Sequence, residues 1–162
     1  MQSKHTQDVI VLIQGCRLSP RPDESRLMRM AADGLMTSHR LGYTVSYREP
    51  ENTEVLTMLL VEGERVTMLK SGGQRGQMVF EKGRRYVSYV DTADGTFTVG
   101  VTASRVVTDM NESGGRIEMV YGVEVGGDIT EENHMQIEIH AASGAWPTVP
   151  EGLVVYKDEY LN

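Results

Sequence analysis

The chain has 162 residues, enough for one domain with a sizeable core, and its 16 basic and 23 acidic residues give a net charge of −7. That sign disfavours a nonspecific grip on nucleic acid or on an anionic membrane. The single cysteine, Cys16, excludes an intramolecular disulfide and fits a reducing compartment, so the expected location is the cytoplasm.

At the N-terminus a polar start leads into the apolar run Val9 to Ile13, too short for a signal-peptide core. No segment approaches the ~20 apolar residues of a membrane-crossing helix. A first strand is expected over 8–17, with Cys16 at its end reading as a small hydrophobe and not a nucleophile. Over 24–38, Leu27, Met28, Met30, Ala31 and Leu35 would suit a helix face, but Gly34 and the neighbouring pattern favour a long bent strand. The strand 40–48 is clearer: Tyr43, Val45 and Tyr47 alternate with Thr44, Ser46 and Arg48, the period of two expected of a strand with one buried face.

Strands follow over 54–61, 65–71, 77–81 and 86–91, separated by glycine-bearing turn signals such as Glu62-Gly63-Glu64 and Ser71-Gly72-Gly73. Lys82-Gly83-Arg84-Arg85 is a local basic cluster and reads as a solvated turn. Asp94-Gly95 is a hairpin signal. Beyond it come 96–103, 105–111, 116–125 and 133–141. Ile117, Met119, Tyr121, Val123 and Val125 share one face, as do Met135, Ile137, Ile139 and Ala141, with His134 and His140 on the polar side. From Ala142 the pattern changes to an irregular arm with an apolar patch, Leu153 to Tyr156. The organisation is a barrel domain over 1–141 with an arm over 142–162 that is no separate domain. Many short sequential strands without βαβ spacing imply a sandwich or an up-and-down barrel, and regular hairpins favour the barrel.

Four signatures occur in order: Lys70-Ser71-Gly72; Phe80 with Gly83; Tyr89 followed by Gly95; and Gly115-Arg116-Ile117 with Tyr121, behind the stretch Val99 to Thr108. In this the chain resembles the YwiB-like family, a bacterial domain of unknown function, over roughly Tyr43 to Ala141. The resemblance implies an all-β, lipocalin-like (calycin) antiparallel up-and-down barrel. It implies no chemistry, because none is assigned to the family and a fold alone supplies none. The sequence departs from the family at Asp91 to Gly95, where many relatives carry a tighter Thr-Pro-aromatic-Gly turn.

The residues themselves offer no catalytic set. His5, His39, His134 and His140 lack chelating spacing and Cys16 has no cysteine partner, so neither a metal site nor a cofactor is expected. The glycine-rich run Ser71 to Gly76 precedes no helix and no Gly-Lys-Ser/Thr, which leaves it a hairpin loop and not a phosphate cradle. Paired carboxylates (Asp109 with Glu112, Glu118 with Glu124, Glu131 with Glu132) read as the solvated surface of an acidic protein. Tyrosines are the more informative group, since a buried one brings an apolar body and a hydroxyl that needs a partner. Tyr43, Tyr47 and Tyr121 share parity with apolar neighbours and are expected inside the barrel. Two readings stand. In one, these hydroxyls and Lys70 orient a small apolar or amphipathic ligand. In the other, the barrel is filled and serves as an interaction module for a partner or a second copy, a homodimer.

Overall fold

The computed structural model describes residues 5–18, 26–50, 52–73, 75–125, 128–142 and 159–160. Period-two alternation becomes a continuous antiparallel sheet of β1 (His5–Leu18), β2 (Arg26–His39), β3 (Gly42–Glu49), β4 (Asn52–Glu62), β5 (Arg65–Ser71), β6 (Arg75–Glu81), β7 (Arg85–Thr92), β8 (Gly95–Asn111), β9 (Gly114–Val125) and β10 (Asp128–Ala141). Neighbours in sequence are neighbours in the sheet, and β1 pairs with both β2 and β10. The result is a closed ten-stranded up-and-down barrel. Closure gives every strand two partners and removes the free edges that invite aggregation. A two-residue strand, β11 (Glu159–Tyr160), lies beside the start of β2, opposite Leu27 and Arg26. The remainder of the C-terminal arm lies outside the described residues beyond Ala142, whose N–H donates to the Asp8 carbonyl.

The inward faces form one core. Val9, Val11, Met36, Val45, Leu59, Val66, Phe80, Val101, Ile117, Met119, Ile137 and Ile139 are fully buried. At its centre Phe80 meets Tyr121 edge-on, ring centroids 4.6 Å apart at 61°, a favoured aromatic geometry. The segment that also suited a helix is the long strand β2. Gly34 is required there, because a Cβ would stand 2.6 Å from the Ser46 carbonyl oxygen of β3. β3 accompanies β2 only from Gly34 to His39, so the first half of β2 runs on without it.

The expectation of separate strands at 96–103 and 105–111 is corrected: both belong to β8. Ala103 faces Tyr121 and Arg105 faces Val120, so Ser104 is an extra residue, a β-bulge. It reverses the parity of the strand. Val99, Val101 and Ala103 are buried before it and Val106 after it, and that break in alternation imitates a turn. A second irregularity opens between β6 and β7, which pair only at Arg75–Asp91 and Gly76–Val90. The end of β6 turns toward β8, where the Gly83 N–H donates to the Ala103 carbonyl at 2.9 Å.

Glycine is demanded at the β8–β9 turn. Gly115 has φ +155°, and a Cβ there would lie 2.2 Å from the Asp109 carbonyl oxygen; at Gly95, φ +123°, nothing lies within 4 Å. Gly115→Val should therefore destabilise by well over the ~1 kcal/mol typical of point mutants, and by more than Gly95→Val, which carries backbone strain alone. Thermal melting of both variants checks this. A Gly115→Val protein melting with the wild type would show that the turn is misread.

Candidate functional site

Up-and-down order places the β1–β2, β3–β4, β5–β6, β7–β8 and β9–β10 connections at one end of the barrel. The inward layer near this end differs from the packed core beneath it. Two of its positions carry no side chain: Gly15 on β1, between Met28 and Met135, and Gly76 on β6, beside Val90. Others carry long, adaptable methionines. The outcome is an apolar cavity of about 500 Å³ lined by Met28, Met78, Val90, Phe97, Val99, Tyr121, Val123, Val125, Asn133 and Met135. Phe97 and Val125 are 44% and 43% exposed and form its rim. Asn133 is the one amide in this wall. Its Nδ2 is buried and has no hydrogen-bond partner among the described residues, a condition that costs about 1–3 kcal/mol when nothing compensates it.

A polar cluster occupies the adjoining wall. Tyr47, Thr57 and Lys70 face one another across β3, β4 and β5, and Glu49 sits two residues past Tyr47 at the end of β3. The Glu49 Oε1 accepts a hydrogen bond from Thr57 Oγ1 at 2.7 Å and from Lys70 Nζ at 2.9 Å. Thr57 is fully buried and also bonds the Tyr47 hydroxyl. Burial of the Tyr47 ring, and then the negative charge of Glu49, push its phenol well above the ordinary tyrosine range, only partly opposed by the bond to Thr57. The row continues from Lys70 to Gly76 and on to Val90 of the cavity wall. Cavity and polar cluster are thus two sides of one mouth.

The four residues singled out in the sequence fall in three places. Tyr121 lines the cavity. Tyr47 and Lys70 belong to the polar cluster. Tyr43 stands at the far end of β3, opposite Ser38 and Val61, packed against the core and away from the mouth. Sequence reasoning passed over Thr57 and Asn133, each the polar member of an otherwise apolar face: Val55, Leu59 and Val61 for the first, Met135, Ile137 and Ile139 for the second. Outside the barrel, Glu118 accepts hydrogen bonds from Arg105 and Arg116. The bond from Arg105, with the charge of Arg116 beside it, holds that carboxyl below its usual range despite some desolvation. Glu124 pairs with Arg85. Among the described residues no three His, Cys, Asp or Glu side chains are grouped to hold a metal ion, and no helix is long and apolar enough to cross a membrane.

Residues 14–137 match the family described as Domain of unknown function (DUF1934). The chain belongs to the DUF1934 family. The barrel also superposes on a solved structure described as the crystal structure of ywiB protein from Bacillus subtilis. The TM-score is 0.75 at 16% sequence identity, and the match covers 85% of this chain and 94% of that one. At that identity the likeness is one of fold. No curated protein matches the chain.

For this DUF1934 barrel the Tyr47 environment sets a pH dependence. A phenol whose pKa is raised on folding contributes stability that is fully present below the ordinary value of about 10 and is lost as pH climbs above it. Tyr47→Phe should cost about 1 kcal/mol at neutral pH through the lost bond to Thr57, and should flatten the alkaline loss of stability. Denaturant unfolding of both proteins at about pH 8 and about pH 11 is the measurement. Equal alkaline losses would separate Tyr47 from the effect.

Proposed function

We propose that this barrel is a binding protein, not an enzyme, and that it holds a small apolar or amphipathic molecule in the cavity at its mouth. The observation that carries the reading is the buried, unpartnered Asn133 amide in the wall of an otherwise apolar cavity. A volume of about 500 Å³ falls within the range of small-molecule sites, which combine an apolar lining with a few placed polar groups. The adjoining polar groups are committed to one another: Lys70 and Thr57 both bond Glu49, and Tyr47 bonds Thr57. That supports binding over acid–base catalysis, which needs an ionisable group free to exchange a proton with substrate. A reducing cytoplasm as its location rests on the lone cysteine.

One observation favours the interaction-module reading. Val87 and Tyr89 lie on the outward face of β7 and are 50% and 70% exposed, on the strand most weakly joined to its neighbour. A partner or a second copy could use that face without involving the mouth.

Native mass spectrometry of freshly purified protein, followed by gentle denaturation, tests the ligand reading. Wild type should release a small molecule that Val123→Trp, which fills the cavity with an indole, does not retain. Compounds that raise the melting temperature of the wild type should leave that variant unmoved. A wild type that releases nothing and is shifted by no apolar or amphipathic compound would overturn the reading in favour of the interaction module.

A further inference from the structure

The outer side of β1 is apolar and covered where a barrel surface is ordinarily polar and wet. Val9, Val11 and Ile13 belong to the inner core, so Ile10 and Leu12, which alternate with them, face outward. Yet these two are only 3% and 8% exposed, and among the described residues no strand lies over them. The edge of β2 is a second incomplete feature. β1 accompanies β2 from Arg26 to Ser38, but β3 does so only from Gly34 to His39. β11 takes up the β3 side at Arg26 and Leu27. Between them, Met28 to Asp33 has no partner strand on that side among the described residues. An unpaired stretch of sheet backbone is a template for one more strand.

The amino-acid order supplies that strand. β11 is antiparallel to β2, with Glu159 opposite Leu27 and Tyr160 opposite Arg26. Carried backward in the same register, Tyr156 falls opposite Met30, Val155 opposite Ala31, Val154 opposite Ala32 and Leu153 opposite Asp33. This run of good strand formers ends where the unpaired edge ends, because Gly152 then falls opposite Gly34, where β3 takes over. Pro150-Glu151-Gly152 has the composition of a turn at that point. We propose that the outer face of β1 and the free edge of β2 are the docking surface of the chain's own C-terminal arm. Residues 153–158 extend β11 along Met28 to Asp33, and residues 143–152 cross outside β1 over Ile10 and Leu12. The crossing begins where the Ala142 N–H donates to the Asp8 carbonyl, and it ends one rung away, since Gly34 is opposite Val9. It spans three strand spacings, about 15 Å. Residues 143–152 reach about 35 Å when extended, slack enough to bow over Leu12. Trp146 is the large apolar residue of this stretch, and its burial against Ile10 and Leu12 accounts for their exclusion from water.

The test uses the full chain carrying Cys16→Ser, so that introduced cysteines are its only thiols. Residues directly opposite on antiparallel strands bring their Cα atoms within disulfide range. Ala31→Cys with Val155→Cys should therefore close a disulfide within one chain on mild oxidation, read by peptide mass spectrometry. Ala31→Cys with Leu153→Cys keeps the parity but sits diagonally, beyond that range, and should stay mostly reduced. No disulfide in the first pair overturns the strand addition. Equal yields from both pairs overturn the register. A disulfide that joins two chains overturns docking within one chain in favour of arms exchanged between copies. Trp146, the one tryptophan, reports the crossing without any substitution. In the native protein it should emit to the blue of the unfolded chain and resist quenching by acrylamide; quenching as free as in the unfolded chain overturns the crossing. Ile10→Ser with Leu12→Ser should expose it while the far-UV β spectrum persists. An unchanged Trp146 signal in that folded variant overturns the assignment of Ile10 and Leu12.

Discussion

Closure of the sheet through β1 is the constraint on which the rest of the structure depends. β1 runs beside β10 from Val9 to Leu18 and beside β2 from His5 to Arg17, so its backbone groups are satisfied on both edges. A closed sheet has one inside, and each strand must send the same parity of residue into it for its whole length. Strict alternation follows in β4 and β9, whereas Val9 to Ile13 of β1 are buried on both faces. The same constraint explains the bulge in β8. The strand is long, and after Ser104 its apolar residues sit at the opposite parity; without the extra residue Val106 would face solvent and Arg105 the core.

Closure does not require the interior to be filled evenly. Beneath the mouth, Phe80, Tyr121, Ile117 and Leu59 interdigitate as a packed core should. At the mouth the layer is assembled from two glycines, several methionines and a set of polar side chains, and it divides by wall. On β3, β4 and β5 the polar groups close on one another and make that wall self-sufficient. From β6 round to β10 and β2 the wall is apolar and leaves space. The buried Asn133 amide stands on that open side, without a hydrogen-bond partner among the described residues.

Much of this was readable in the amino-acid order. Alternation and turn signals located the barrel strands, with β8 split in two at its bulge, and Gly34 with the neighbouring pattern favoured a bent β2 over a helix. Parity placed Tyr47 and Tyr121 inside. But parity reports which face a residue takes, not how deep along the barrel it lies. Tyr43 and Tyr47 share a face, yet four residues of strand carry them to different layers. The bond between Lys70 and Glu49 was hidden for a related reason. It joins β5 to β3 across β4, through two registers and the irregularity at Arg48/Glu49, none of which is written in any short motif. Asn133 was more accessible. It continues the face of Met135, Ile137 and Ile139 outward, and an amide on an apolar face is a signal in itself.

The two kinds of polar group in this protein carry different weight. Arg105, Arg116 and Arg85 meet their carboxylates on the outer surface, where the arginine side chains are more than half exposed. Exposed pairs of this kind add little to stability. A polar side chain on the inner wall is another matter, since burying it costs free energy unless a partner is found. Tyr47, Thr57, Glu49 and Lys70 meet that requirement among themselves, so their presence is accounted for by the folded protein alone. Asn133 does not. A hydrophobic residue of similar size would fill its position at lower cost, so packing alone gives no reason for an amide at this point of the wall.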